Sequence, residues 1–128
     1  MKTPEDLKYT KNDEWVRVDG NTAKVGITDY AQDQLSDIVY VEILVSEGDQ
    51  VKKGDSCATI ESVKAAADVY LPVSGTVVRV NDELADTPEA VNSDPYGEAW
   101  MVEVELNNSA ELDALLDAES YQSQIEAE

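Results

Sequence analysis

Lys64 is the residue of this chain best placed to do chemistry. It stands in Glu61-Ser62-Val63-Lys64-Ala65-Ala66-Ala67-Asp68, halfway along the chain, between short apolar runs rich in β-branched residues. Val51 to Lys53 and Ala58 to Ile60 precede it, Val69 to Leu71 and Thr76 to Val80 follow, and Gly54, Pro72 and Gly75 punctuate them. That pattern reads as strands joined by turns. A lysine exposed at such a turn presents an ammonium on a flexible stem. No ligand cluster or acid–base pair lies around it in the sequence, so the chemistry indicated is acylation: the chain carries a cofactor instead of using the amine itself. Most surface lysines only solvate, and what lifts Lys64 above that reading is the regular order of turn, strand, tip and strand on either side.

Composition narrows the classes. A chain of 128 residues is one domain with room for a modest core. Nine Lys and Arg stand against 28 Asp and Glu, a formal charge of -19. Nucleic acid would be repelled by this balance, and anionic membrane surfaces are disfavoured. The charge fits a monomeric body steered toward basic faces of partners, and equally an adaptation to salt. The chain has no histidine, which excludes histidine catalysis and histidine metal sites; no metal site is expected. The single cysteine, Cys57, excludes an intrachain disulfide framework and reads as a small buried hydrophobe in a strand. Met1 to Asp6 lacks the apolar run of a signal peptide, no stretch approaches the roughly 20 apolar residues of a membrane span, and a cytoplasmic protein is expected.

The elements that must position Lys64 follow in order. Thr3 with Pro4 opens a turn of helix. Trp15–Val18 and Thr22–Ile27 form a hairpin about Asp19-Gly20-Asn21, and Glu14 reads as a solvated strand start. Thr28 caps a short helix through Leu35, with Ile27, Ala31 and Leu35 four apart. Asp37–Ile43 is a strand with residues 39, 41 and 43 inward. Gly48-Asp49-Gln50-Val51 and Gly75-Thr76-Val77-Val78 echo each other weakly, as two similar hairpin units would. Thr87-Pro88 begins another helical turn, and Asn92–Gly97 is a turn cluster. Ala99–Leu106 is a long alternating strand with Trp100, Val102, Val104 and Leu106 on one side. Asn108 and Glu111 form a capping-box pattern ahead of Leu112, Leu115 and Leu116, and Asp117 caps a second segment with Tyr121 and Ile125 inward.

The segment from Gly48 to Asn81 resembles a biotinyl/lipoyl carrier domain, a small flattened β-barrel that holds a modified lysine at a hairpin tip. More narrowly, Glu61-Ser62-Val63-Lys64 followed by Ala65 to Val69, the run Gly26 to Leu35, and Asn92 to Tyr96 followed by Trp100-Met101 are similar to the glycine cleavage system H protein family. Biotin carriers favour methionine on both sides of the lysine, and Val63 and Ala65 are not methionine. The likeness runs from about Leu7 to Tyr121. Departures are Asp13, where the family usually has histidine, Ser36 and Ala99, where it usually has glycine, and Tyr30, where some members have histidine. Serine tolerates positive φ less well than glycine, so Ser36 implies an altered turn.

The resemblance implies a mainly β barrel-sandwich hybrid, residues 1–128 as one lipoyl-carrier domain, with its core at about 48–81 and a helical tail at about 108–126. It implies no enzyme but a lipoyl carrier, with lipoate amide-linked as N6-lipoyllysine at Lys64. The carrier would take the aminomethyl group of glycine from glycine decarboxylase, a pyridoxal-phosphate enzyme, to an aminomethyltransferase, and electrons to dihydrolipoyl dehydrogenase. A lipoate-attaching enzyme would read the sequence around Lys64, with Glu61 and Asp68 as candidates against the plainer reading of two solvated carboxylates. Glu14, with Asp68, would lie where the loaded arm folds back. A free-standing lipoyl carrier for another pathway is the alternative, and an acidic binding module with an unmodified Lys64 comes third.

Overall fold

The computed structural model describes residues 2–127, which form two antiparallel sheets and short helices. The strands are β1 (Lys8–Tyr9), β2 (Glu14–Asp19), β3 (Thr22–Ile27), β4 (Ile38–Ile43), β5 (Gln50–Val51), β6 (Ser56–Ser62), β7 (Ala66–Tyr70), β8 (Gly75–Val80) and β9 (Val102–Leu106). One sheet runs β1-β2-β3-β9-β8-β5 and the other β4-β6-β7. The sandwich expected from the sequence is present, and its sheets do not close into a barrel. Strands of the 48–81 stretch are shared between the sheets: β6 pairs with β4 and β8 with β9, both outside it. The two echoed segments are hydrogen-bonded partners, with Gln50 opposite Thr76 and Val51 opposite Gly75.

The first hairpin forms as the sequence indicates, with Asp19 opposite Thr22 and Gly20 at φ 62°, a backbone conformation glycine enters without a Cβ clash. Gly26 is required for a different reason. A Cβ there would meet the Trp15 ring at 2.8 Å, and that ring is fully buried with its Nε1 donating to Pro95 O at 2.8 Å.

Helix α1 (Asp29–Leu35) starts where Thr28 Oγ1 accepts from Ala31 N at 3.2 Å and ends at Ser36, whose φ is 69° and ψ -153°. Helices α2 (Ala90–Ser93) and α3 (Ala118–Ala127) follow, and Asp117 caps α3 by accepting from Ser120 N at 2.8 Å.

Four expectations are corrected. Thr3–Asp6 contributes a turn and no helix. Strand β9 begins at Val102, because Ala99 lies in a preceding turn that Trp100 closes by donating its N–H to Gly97 O at 3.3 Å; the Lys24 ammonium and the Arg79 guanidinium lie over the Trp100 ring, 5.3 and 5.0 Å from its centroid. Val39 points out, 55 % exposed, because a bulge between Ile38 and Tyr40 shifts the alternation of β4, as a single extra residue must. Residues 109–114 form a 3-10 turn in which Asn108 caps Ala110, and Glu111 closes no capping box. It binds Ser74 instead, accepting from the amide N at 2.7 Å and the hydroxyl at 2.8 Å.

The main core gathers Val25, Val41, Ile60, Leu71, Val77 and Val104 between the sheets, with Ala31 and Leu35 packed against it. Cys57 is in it, fully buried, its thiol pushed up to about 12 by that burial. A second, aromatic cluster joins Leu7, Tyr9, Trp15 and Tyr96 to Ala118, Tyr121 and Ile125, so the carboxyl-terminal helix docks on the amino-terminal strands. No buried side-chain N or O among the described residues lacks a hydrogen bond. No helix among them is long and apolar enough to cross a membrane.

Candidate functional site: a lysine-tipped hairpin beside an acidic cleft

Lys64 sits at the end of the β6–β7 hairpin. Ser62 makes the turn there: its N–H donates to Ala65 O at 2.8 Å, and its hydroxyl oxygen accepts from Lys64 N at 3.3 Å and Ala65 N at 3.0 Å. The serine hydroxyl thereby satisfies two amides that the three-residue loop leaves without strand partners. Val63 N donates to Asp37 O at 3.0 Å and ties the tip to the start of β4. Lys64 is exposed, and its ammonium has no hydrogen bond or ion pair among the described residues. Around it Val63 is 66 % exposed, and Val39 and Tyr40 on β4 are exposed as well.

Glu61 lies one turn of the pleat before the tip, exposed and opposite both Ala66 and Tyr40. Asp68 follows Lys64 by four positions, about 13 Å of extended strand. It is exposed, and its carboxylate accepts from Thr59 Oγ1 and from Tyr70 OH, each at 3.4 Å.

Glu14 overturns its reading as a solvated strand start. It is 2 % exposed. One carboxylate oxygen accepts from Thr10 Oγ1 at 2.7 Å, and the other from Tyr70 N at 3.0 Å. Burial raises its pKa above the ordinary carboxylate range; the Thr10 and Tyr70 hydrogen bonds work against that rise, and neighbouring Asp13 adds to it. The signal for this burial is not local, since Tyr70 lies 56 positions away. Thr10 and Ser62 were missed by sequence reasoning. Only the Thr10-to-Glu14 spacing of four hints at the first, and a serine two positions before the lysine at the second.

These elements enclose a cleft of about 200 Å³. Glu14 and Asp13 stand on one side, Ala67, Asp68 and Val69 of β7 on another, and Ile27, Ala31, Leu35 and Ile60 supply apolar lining. Glu14, Asp68 and the hairpin that bears Lys64 are thus brought together; Glu61 does not line the cleft. An apolar trough ending in carboxylates beside a free lysine suits a long, mostly hydrocarbon group with a cationic end. The residues present therefore fit a lipoyl arm that bears an aminomethyl group.

A flexible amine at a rigid tip, a body of paired sheets and a sheltering cleft define a carrier domain. The chain belongs to the glycine cleavage H-protein family, whose model matches residues 7–128. It is 54 % identical over 125 residues to a glycine cleavage system H protein of Carboxydothermus hydrogenoformans, covering 98 % of this chain and 95 % of that one. It is 50 % identical over 125 residues to that of Staphylococcus carnosus, covering 98 % of each. The crystal structure of a glycine cleavage system H protein from Mycobacterium marinum superposes with a TM-score of 0.86 at 34 % identity, covering 96 % of this chain and 98 % of that one.

Proposed function

We propose that this chain is the lipoyl carrier of a glycine cleavage system, with lipoate amide-linked to Lys64, and that it catalyses none of the steps. The observation that carries this reading is the exposed, unengaged ammonium of Lys64 on a hydrogen-bonded tip next to an apolar, acid-ended cleft. When attached, the lipoyl group supplies a reducible disulfide that accepts a one-carbon amine and, as the dithiol, gives up electrons. The chain's own residues do the rest. Ser62 and Asp37 fix the tip so that partners meet one geometry, which raises the local concentration of the carried group at each active site. Ile27, Ala31, Leu35 and Ile60 exclude water, and Glu14 favours the ammonium form of the carried amine.

Glycine decarboxylase, an aminomethyltransferase and dihydrolipoyl dehydrogenase are the proposed partners, together with a lipoate-attaching enzyme that reads Glu61 and Asp68. Exposed Val39, Tyr40 and Val63 beside the tip offer them apolar contact within an acidic surface. Residues 1–128 act as one carrier body. A reducing compartment sustains the dithiol form, and the cytoplasm is the proposed site of action. A carrier for a different lipoate pathway is disfavoured by the family match along nearly the whole chain.

Reconstitution with glycine decarboxylase tests the role. The lipoate-loaded chain supports glycine-dependent release of carbon dioxide, while Lys64→Arg supports none and keeps the circular dichroism of the parent. Carbon dioxide release by the arginine variant at the parent rate would refute it.

A further inference from the structure

We propose that Tyr121 of helix α3 is a positioning residue for the cleft, holding Asp13 and helix α1 at a fixed separation so that Glu14 faces the carried amine. The inference rests on the carrier reading only for what the cleft shelters; the positioning itself is a property of the unloaded chain.

Tyr121 is fully buried and its ring stacks on Tyr9, with centroids 4.6 Å apart and planes 6° from parallel. This packing aims the phenol away from its own helix, into the junction of three other segments. There Tyr121 OH lies 2.9 Å from Asp13 Oδ1 and 2.6 Å from Thr28 Oγ1. The direction of both bonds is fixed by what each group has to offer. A carboxylate only accepts, so the single phenol proton goes to Asp13, and the Thr28 hydroxyl must donate to the phenol oxygen. Thr28 Oγ1 in turn accepts from Ala31 N at the start of α1. The result is an ordered chain from α1, through Thr28 and Tyr121, to Asp13.

Asp13 is a residue that needs holding. Its φ is 67°, a conformation uncommon outside glycine although tolerated by aspartate. Its carbonyl accepts from Thr28 N at 3.0 Å, and its own N–H reaches Thr10 O at 3.3 Å. Tyr121 therefore fixes the side chain of a residue whose backbone is tied to both Thr10 and Thr28. Thr10 is the residue whose hydroxyl holds Glu14 Oε1, and Glu14 is next in the chain. Asp13 and Glu14 line one side of the cleft, and Ile27 and Ala31, which flank the Thr28 cap, line another. Tyr121 does not line the cleft, yet it ties the Asp13–Glu14 wall to the start of α1. The carboxyl-terminal helix thus does more than cover Tyr9.

Tyr121→Phe removes the hydroxyl and leaves the ring and its stack. On the unloaded chain, amide exchange at Thr28 and Tyr70 rises about fivefold, the change in local opening expected when a hydrogen bond of ordinary net strength is lost. Exchange at Val104, in the far sheet, stays at the parental rate. On the chain loaded with the aminomethyl adduct, hydrolysis of that adduct by water to thiol, formaldehyde and ammonium runs faster by a similar factor. Ile125→Val, a packing loss on the same helix that keeps the phenol, lowers thermal stability without changing either readout. Asp13→Gly cuts the same link from the other end at a φ that glycine adopts freely, and it serves if the phenylalanine variant does not fold. Parental exchange at Thr28 and Tyr70 in Tyr121→Phe, or in Asp13→Gly where that variant serves, overturns the proposal whatever the release rates. Faster exchange combined with unchanged release in both Tyr121→Phe and Glu14→Gln leaves the positioning standing and removes the sheltering role of the cleft.

Discussion

Ser36→Gly should stabilise the fold. Ser36 ends α1 at φ 69° and ψ -153°, a region populated almost only by glycine and costing other residues about 1–3 kcal/mol. The surroundings hold it there: its N–H donates to Gln32 O at 3.0 Å, and its carbonyl accepts from Asn92 Nδ2 at 2.9 Å. Glycine relieves the Cβ clash and gives back about 0.4–1 kcal/mol through a freer unfolded chain. The net gain is about 1–2 kcal/mol. For 128 residues, the usual unfolding entropy per residue converts that to a rise of about 4–7 °C in Tm. Differential scanning calorimetry on parent, Ser36→Gly and Ser36→Ala decides it. Alanine keeps the Cβ and gains nothing. An unchanged or lower Tm for the glycine variant, or an equal gain for alanine, would refute the claim that backbone strain at this turn is stored in the fold.

Two further outcomes are expected. Glu14 has its folded pKa raised above the ordinary value of 4.5, so the folded chain binds the proton more tightly than the unfolded one. The ionised carboxylate then costs stability above the folded pKa, and the cost disappears as pH falls below the unfolded value. As pH falls from neutral through the folded pKa of Glu14, the parent therefore gains stability relative to Glu14→Gln, whose side chain does not titrate; a constant difference in Tm across pH would contradict the burial argument. Association with glycine decarboxylase, measured by stopped flow, slows between 0.1 M and 1 M salt as the screening length shrinks from ~10 to ~3 Å. A rate indifferent to salt would leave the charge of -19 without a steering role.

Local chemistry made much of this architecture readable. Asp19-Gly20 between strand formers specified the first hairpin, the Thr28 cap specified α1, and the lysine tip followed from the turn between two apolar runs. Positions set by distant partners were not readable. Glu14 is buried because Tyr70 N and Thr10 Oγ1 both reach it, and no spacing announces that pairing. Val39 was misplaced because a bulge inverts strand parity. Trp100 has the apolar ring an alternating strand would carry, yet it closes a turn with the Lys24 and Arg79 cations over its ring. Tyr9 and Tyr96 carry no local sign of joining α3 in a second core, since that cluster gathers residues 7–15, 96 and 118–125, which lie far apart in the sequence.

The central claim is that Lys64 carries lipoate, and intact-mass analysis with peptide mapping tests it most directly. The chain is incubated with lipoate, ATP and a lipoate-attaching enzyme. The expected result is a gain of one lipoyl group, located on the peptide containing Lys64 and absent from Lys64→Arg. No gain in mass, or the group on another lysine, would contradict it.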